Sequence, residues 1–263
     1  MRLLTWVVLL LASGAMARPE PSFVLEFEDG YVATGPQGPL APRAEGHPEL
    51  APGRFGQALK SGPATGYLHF PTAGVVNRLA GTVEMWVSPI DWDGTERKFH
   101  AFFDCRGEGA LYLYKYFEGG LLMLSANNPA GPYQSASAAI GGWKPGDWHH
   151  IAGTWSASQQ HVYVDGKRIG STSPLLPMAL AETFALGDHP WHIERSSSSL
   201  IDRVRIYDRL LSDAHIAAHY AGNYDHSVPV GASSVTLTAP IEPATRTLTA
   251  TGKSKASQVA QWP

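Results

Sequence analysis

Apolar residues recur at every second position through much of this chain, the period of a strand with one buried face. The pattern is clearest over residues 148–168, W-H-H-I-A-G-T-W-S-A-S-Q-Q-H-V-Y-V-D-G-K-R. Two alternating runs, 150–155 and 161–164, flank a short polar turn. Asp165-Gly166 then supplies the positive φ angles of a two-residue hairpin loop, and Ile169 and its neighbours return as a third strand. The stretch predicts an antiparallel meander with one buried and one wet face.

Similar runs occur along the rest of the chain. Residues 23–27 alternate and predict an opening strand. Residues 81–87 place Val83, Met85 and Val87 on one face and Glu84 and Trp86 on the other, and Pro89 stops the run. Further strands are predicted over 98–105, 110–117 and 121–126, with Gly119-Gly120 turning the last pair. A weak strand is expected over 133–140 and another from Thr183 to Leu186. The inward faces are expected to hold Phe27, Leu59, Val83, Met85, Val87, Phe103, Ile151, Val162, Val164, Val204 and Ile206. Residues 34–52, rich in Pro, Gly and Ala, read as a long surface loop or a partly disordered segment. Residues 212–220 predict a helix, with Ser212 as cap, Ile216 and Tyr220 on one face and Gly222 at the end. No internal repeat is evident. The sum is an all-β protein: two packed antiparallel sheets over residues 23–222, with the first and last strands as neighbours and one short C-terminal helix.

Composition narrows the classes. The chain has 263 residues, and sandwiches of such length fold as one unit. Charge is balanced, 20 basic against 23 acidic residues, and no basic cluster interleaves with aromatics, which argues against nucleic acid. Arg2, the apolar run 3–12 and Ala15-Met16-Ala17 predict a secretory signal over residues 1–17, leaving Arg18 as the mature start. The run is too short to span a bilayer, and no other segment is long and apolar enough. The expected location is secreted or extracytoplasmic, in the cell envelope or periplasm. The domain is expected over 18–223. Residues 224–263, rich in Ser, Thr, Ala and Pro, read as a linker or disordered tail, or, from Val235 and Leu237, as the first strand of a further domain. Cys105 ends an alternating run and is expected to be a buried small hydrophobe.

Four segments in register resemble the laminin G-like family of concanavalin A-like jelly rolls. They are L-E-F-E-D-G at 25–30, G-R-F-G-Q-A-L at 53–59 with Tyr67-Leu68-His69-Phe70, the Trp148 strand with its Tyr-Val-Asp-Gly hairpin, and I-D-R-V-R-I-Y-D-R-L-L at 201–211. The resemblance spans roughly residues 23–222 and implies the jelly-roll sandwich. Two features depart from it. The chain has a single cysteine where many such modules carry a disulfide, and His215 stands where a Glu would complete a capping box. By the same resemblance, Asp29 after the first strand and Asp202 in the last are candidates for a structural calcium ion, which takes oxygen ligands in irregular geometry. The bland alternative for Asp202 is pairing with Arg203 or Arg205.

Enzymes on this scaffold carry recognisable strings. Retaining glucanases set acids on alternate residues of one strand, about 5 Å apart. Glu26-x-Glu28 has that spacing for two acids only, and a solvated face explains it better. Tyr114-Lys115-Tyr116-Phe117 is weakly similar to a strand of alginate lyases, but the partner strings are absent. No catalytic residue is therefore assigned. His149 and His150 fall on opposite faces of a strand, while Asp188, His189 and His192 share a loop without the ligands of a zinc site. Trp148 and Trp155 are expected in the core. Trp92, Tyr133, Trp143 and Trp191 lie in predicted loops and are the candidates for stacking on sugar rings. The expected function is a secreted, non-catalytic module whose loops 88–97, 127–133, 141–147 and 187–199 bind carbohydrate or an extracellular protein. The alternatives are a glycan-acting enzyme or its accessory domain, and a structural cell-envelope or adhesion component with no small ligand.

Overall fold

The structure, a computed structural model, describes residues 19–129, 131–187 and 198–224. The predicted signal, Trp191 with His189 and His192, and the tail from 225 onward lie outside these residues. The opening part forms β1 (Phe23–Leu25), β2 (Ala33–Gly35), β3 (Gly38–Leu40), β4 (Arg43–Gly46), β5 (Glu49–Pro52), β6 (Gln57–Ser61) and β7 (Gly66–Pro71). The middle carries β8 (Gly81–Pro89), β9 (His100–Arg106), β10 (Ala110–Lys115), β11 (Leu121–Asn127) and β12 (Gln134–Ala139). Then follow β13 (His149–Trp155), β14 (Gln160–Val164), β15 (Lys167–Thr172), β16 (Thr183–Leu186), β17 (Ser199–Tyr207) and α1 (Asp213–Tyr220).

All strand pairs are antiparallel and form two sheets. The larger runs β15-β14-β13-β8-β17-β1-β2-β3, with β6 also on β17 and β5 on β6. The smaller runs β12-β11-β10-β9-β16-β7-β4. The first and last strands pair as expected, Phe23 opposite Ile206 and Leu25 opposite Val204. The hairpin at Asp165-Gly166 has φ values of 50° and 76°, and the Asp165 carboxylate locks it by accepting from the His150 amide at 3.0 Å.

The inward faces are those the alternation marks out. Phe23 of the larger sheet meets Phe70 and Phe184 of the smaller at centroid distances of 4.9 and 5.4 Å, and Phe103 joins Phe184 at 5.4 Å. Of the expected inward residues, all are fully buried except Val164, which packs half-buried against the core. Cys105 is buried beside Thr72, and burial pushes its thiol up to about 11. Trp155 is buried and donates from Nε1 to the Asn77 carbonyl at 2.9 Å. Trp148 precedes β13 and is only half-buried, because the strand begins one residue later.

Two expectations need correction. Residues 34–52 are not a structureless loop: most of them lie in β2 to β5, short strands of which β2 pairs with β1 and β3, β4 with β7, and β5 with β6. Pro39 is tolerated there because β3 is an edge strand, where an amide donor is not needed. The second correction concerns the wet face of the meander. Glu84, Trp86, His150 and Tyr163 point away from the core, yet all are buried. They are covered because α1 docks on that face, with Ile216 in a cluster with Ala152, Tyr163, Tyr207 and Leu211 and His219 stacked on Tyr207, while Tyr220, Phe55 and Arg54 close over Trp86. Ser212 caps the helix by accepting from the His215 amide, and the His215 ring meets the same Ser212 hydroxyl at 2.7 Å rather than the Ser212 backbone amide that a capping-box Glu would take. Tyr220 remains largely exposed, stacked on Trp86 at 5.6 Å.

Under the helix, Glu84 accepts from His219 Nδ1 at 2.7 Å and from the Tyr207 hydroxyl at 3.3 Å, with His150 Nε2 3.6 Å away. Burial alone would raise this carboxyl, but the hydrogen bonds and charge of His150 and His219 hold it down to about 2, against an ordinary 4.5. Its stabilisation is therefore complete above pH 4.5 and lost as pH falls toward 2. Denaturant titrations across that range should show wild type losing stability. Glu84→Gln should cost about 3 kcal/mol at neutral pH and lose correspondingly less on acidification. Parallel pH profiles for the two proteins would remove Glu84 as the source.

Candidate functional site

The outer face of the smaller sheet carries aromatic residues where a solvated strand would carry polar ones. Along β10, Leu111 and Leu113 enter the core while Tyr112 and Tyr114 point outward. Their rings lie 4.5 Å apart at 30°. Phe99 lies 5.8 Å from Tyr114, and Tyr116 continues the row at 6.4 Å. The residues between are small: Ala101 and Ala110 belong to the same outer cluster, and Ser125 of β11 faces Tyr112 on one side and Ser135 of β12 on the other. A bulge helps to make this shape. Leu113 faces Phe103 but Tyr114 faces Ala101, so β9 puts both Phe102 and Phe103 into the core and only alanine beside the tyrosine.

Large rings separated by small side chains leave a groove of about 350 Å³. Tyr112, Tyr114 and Met123 are among its lining, and Tyr133, 57% exposed, stands edge-on to Tyr112 at 6.4 Å. The Ser125 hydroxyl donates to the Tyr114 phenol at 3.3 Å and lies 2.6 Å from Ser135 Oγ. Arg106 lays its guanidinium 4.4 Å over the Tyr112 ring, and its Nη2 lies 3.4 Å from Asp104 Oδ2. Burial pushes the Tyr112 and Tyr114 phenols above the ordinary tyrosine range, so both stay protonated through neutral pH. Tyr112 and Tyr114 are themselves buried, so the open ring is that of Tyr133, set beside hydroxyl donors and acceptors and one neutralised cation.

Of the four residues expected to stack on sugars, Trp191 lies outside the described residues, and of the other three Tyr133 is found at this groove. Trp92 and Trp143 do lie in loops, but they are 2% and 5% exposed and belong to the core. Each indole is consumed by a histidine. Trp92 stacks on His100 at 4.3 Å, Trp143 on His149 at 4.1 Å, and the two indoles are 6.3 Å apart. Trp92 Nε1 also donates to the Ser198 carbonyl and the Ser199 hydroxyl, both at 3.1 Å. Glu96 lies against His100 at 2.7 Å and Asp165 against His149 at 2.9 Å, so a row of four rings is closed by a carboxylate at each end. Burial and nearby Lys115 lower His100 to about 3. Lys115 is itself buried, with its ammonium donating to the carbonyls of Glu96, Lys98 and Tyr116.

The acidic candidates differ in burial. Asp202 is buried and its Oδ2 accepts from the Phe55 amide at 2.9 Å, while Oδ1 has no hydrogen-bond partner. Burial raises it to about 6. It is not paired with the neighbouring arginines: Glu26 takes both, Arg203 at 3.0 Å and Arg205 in closer contact. The turn Gly53-Arg54-Phe55-Gly56 explains the G-R-F-G string. A side chain at Gly53 would strike Asp202 Oδ2, and one at Gly56, where φ is +69°, would strike the Glu28 carboxylate. Two carboxylates thus press on one turn, which only glycine permits. Asp29 is exposed in the adjoining turn. Among the described residues, no three His, Cys, Asp or Glu side chains gather as a metal site. The unpartnered Asp202 oxygen still suits a hard cation completed by backbone oxygens.

The comparisons with known proteins agree with this architecture. No curated protein sequence matches the chain. Domain 4 of AbnA, an extracellular arabinanase from Geobacillus stearothermophilus solved in complex with arabinotriose, superposes with a TM-score of 0.61 at 20% identity, covering 76% of this chain and 98% of that domain. The binding domain of botulinum neurotoxin DC, solved in complex with SialylT, superposes with a TM-score of 0.61 at 13% identity over 78% of this chain. The chain spans about half (51%) of that toxin domain. No helix among the described residues is long and apolar enough to cross a membrane. The laminin G-type model of the concanavalin A-like lectin/glucanases superfamily matches residues 61–217, from β6 into α1, and the chain belongs to that superfamily.

Proposed function

We propose that the protein is a secreted, non-catalytic binding module that recognises carbohydrate through the tyrosine groove of its smaller sheet. The observation that carries this reading is Tyr133, an exposed ring standing over a floor of Tyr112 and Tyr114. Sugars bury C–H faces on such rings while hydroxyls at the rim take their polar edges. The arabinanase domain bound to arabinotriose and the toxin domain bound to SialylT are in keeping with it. The charged groups argue against catalysis. Asp104 is engaged with Arg106, and the phenols hold their protons. His69 stands on β7, three strands from β10, a separation of roughly 14 Å at ~4.8 Å per strand. Among the described residues lining the groove, no acid–base pair therefore flanks one bond.

Exchanging rings separates the two kinds of aromatic. Tyr133→Ala should weaken glycan binding about tenfold, with the melting temperature nearly unchanged. Trp92→Ala should cost roughly 3–5 kcal/mol of stability and leave the affinity of the folded protein intact. Calorimetric titration with glycans chosen from an array screen, together with thermal melts, reads both effects. The opposite assignment would return the site to the indoles.

A structural calcium ion is proposed at Asp202, with Asp29 or Glu28 and carbonyls of the 53–56 turn as its partners. Such an ion would join the chain's opening turn to its last strand, and it would stabilise the fold by mass action. Wild type should melt at a lower temperature in chelator than in millimolar calcium, whereas Asp202→Ala should be indifferent. Coincident wild-type melts would dismiss the ion.

A further inference from the structure

We infer that the groove selects an uncharged polysaccharide and rejects polyanions, an inference that rests on the carbohydrate reading above. Among the described residues lining the groove, Arg106 is the one that carries a charge. Its guanidinium is already committed on two sides, face-on to Tyr112 and edge-on to the Asp104 carboxylate. The two side chains are 12% and 0% exposed, so the pair is neutral as a unit and turned away from solvent. The remaining lining consists of phenols, a phenyl ring, a thioether and a serine hydroxyl.

A sugar carboxylate or sulfate entering such a surface would lose water without meeting a cation, and burying an unpaired charge is costly. Freeing Arg106 to meet it would leave Asp104 buried and alone, which is no cheaper. A neutral sugar meets neither penalty. Its ring face covers the exposed Tyr133, and its hydroxyls exchange water for the hydroxyls of Ser135 and the phenols at a nearly even balance. Since no charge is neutralised on binding, the interaction should also be indifferent to salt.

Affinity electrophoresis of the full chain tests this, using neutral polymers (an arabinan, a xylan and a mixed-linkage glucan) and polyanions (polygalacturonate and alginate), each at low and high salt. At least one neutral polymer should retard the wild type, with less than about a twofold change in affinity between the two salts. Neither polyanion should retard it. Ser135→Lys, which sets a cation on the groove wall, should gain retardation by polygalacturonate that high salt abolishes. Asp104→Asn, which strips Arg106 of its carboxylate, should move in the same direction. Retardation of the wild type by a polyanion, lost in Tyr133→Ala, would keep the groove as the glycan site and overturn its neutrality. If no polymer of either class is retarded, or if retardation ignores Tyr133→Ala, the carbohydrate reading itself fails and the inference falls with it.

Discussion

The last strand among the described residues, β17, lies in the middle of the larger sheet, and the rest of the architecture is arranged around that constraint. β17 pairs with β8 along one edge and with both β1 and β6 along the other. Closing the sheet therefore requires a segment more than a hundred residues from its partners. The strand manages this with a bulge between Asp202 and Arg205, where Arg203 takes a φ of +48°. That irregularity turns Asp202 onto the 53–56 turn and leaves Arg203 and Arg205 to hold Glu26 beside the first strand. The two ends of the fold are thus tied by ladder hydrogen bonds, an ion-pair cluster and one buried carboxylate.

The two outer faces meet different fates. On the larger sheet, α1 covers a polar cluster in which Glu84 gathers two histidines and a tyrosine. Once the helix has removed water, those partners are what make the buried charge tolerable. On the smaller sheet, the stretch over β9 to β12 builds its aromatics into a floor, spaced by alanine and serine so that a depression remains. The first face is covered by a helix and the second keeps a groove.

Aromatic side chains divide along the same line. The phenylalanines join the sheets edge to face, and the loop tryptophans close the ring row with His100 and His149. An indole can bury most of its surface while its N–H finds a carbonyl, as Trp92 and Trp155 both do, so a position in a loop says little about exposure. For tyrosine at an outward strand position the pleat sets the direction but not the exposure: Tyr163 and Tyr207 are buried under α1, whereas Tyr133, outside the strands, stays open.

The sequence alone determined the sandwich, the pairing of first and last strands, the Asp165-Gly166 hairpin and the Ser212 cap, because each follows from a local period or a local backbone angle. The groove was partly legible: Tyr112 and Tyr114 alternate with Leu111 and Leu113, which marks a non-core face too aromatic to be simply wet. Tertiary structure alone decided which aromatics are free. Whether Trp92 meets solvent depends on His100 and Ser198, and whether Glu84 does depends on a helix that follows it by more than a hundred residues. Within residues 34–52, β4 and β5 took strand form for the same reason, since their ladder partners lie in β7 and β6 rather than in their own composition. Periodicity tells a side chain which way to point; only the packed neighbours decide what it finds there.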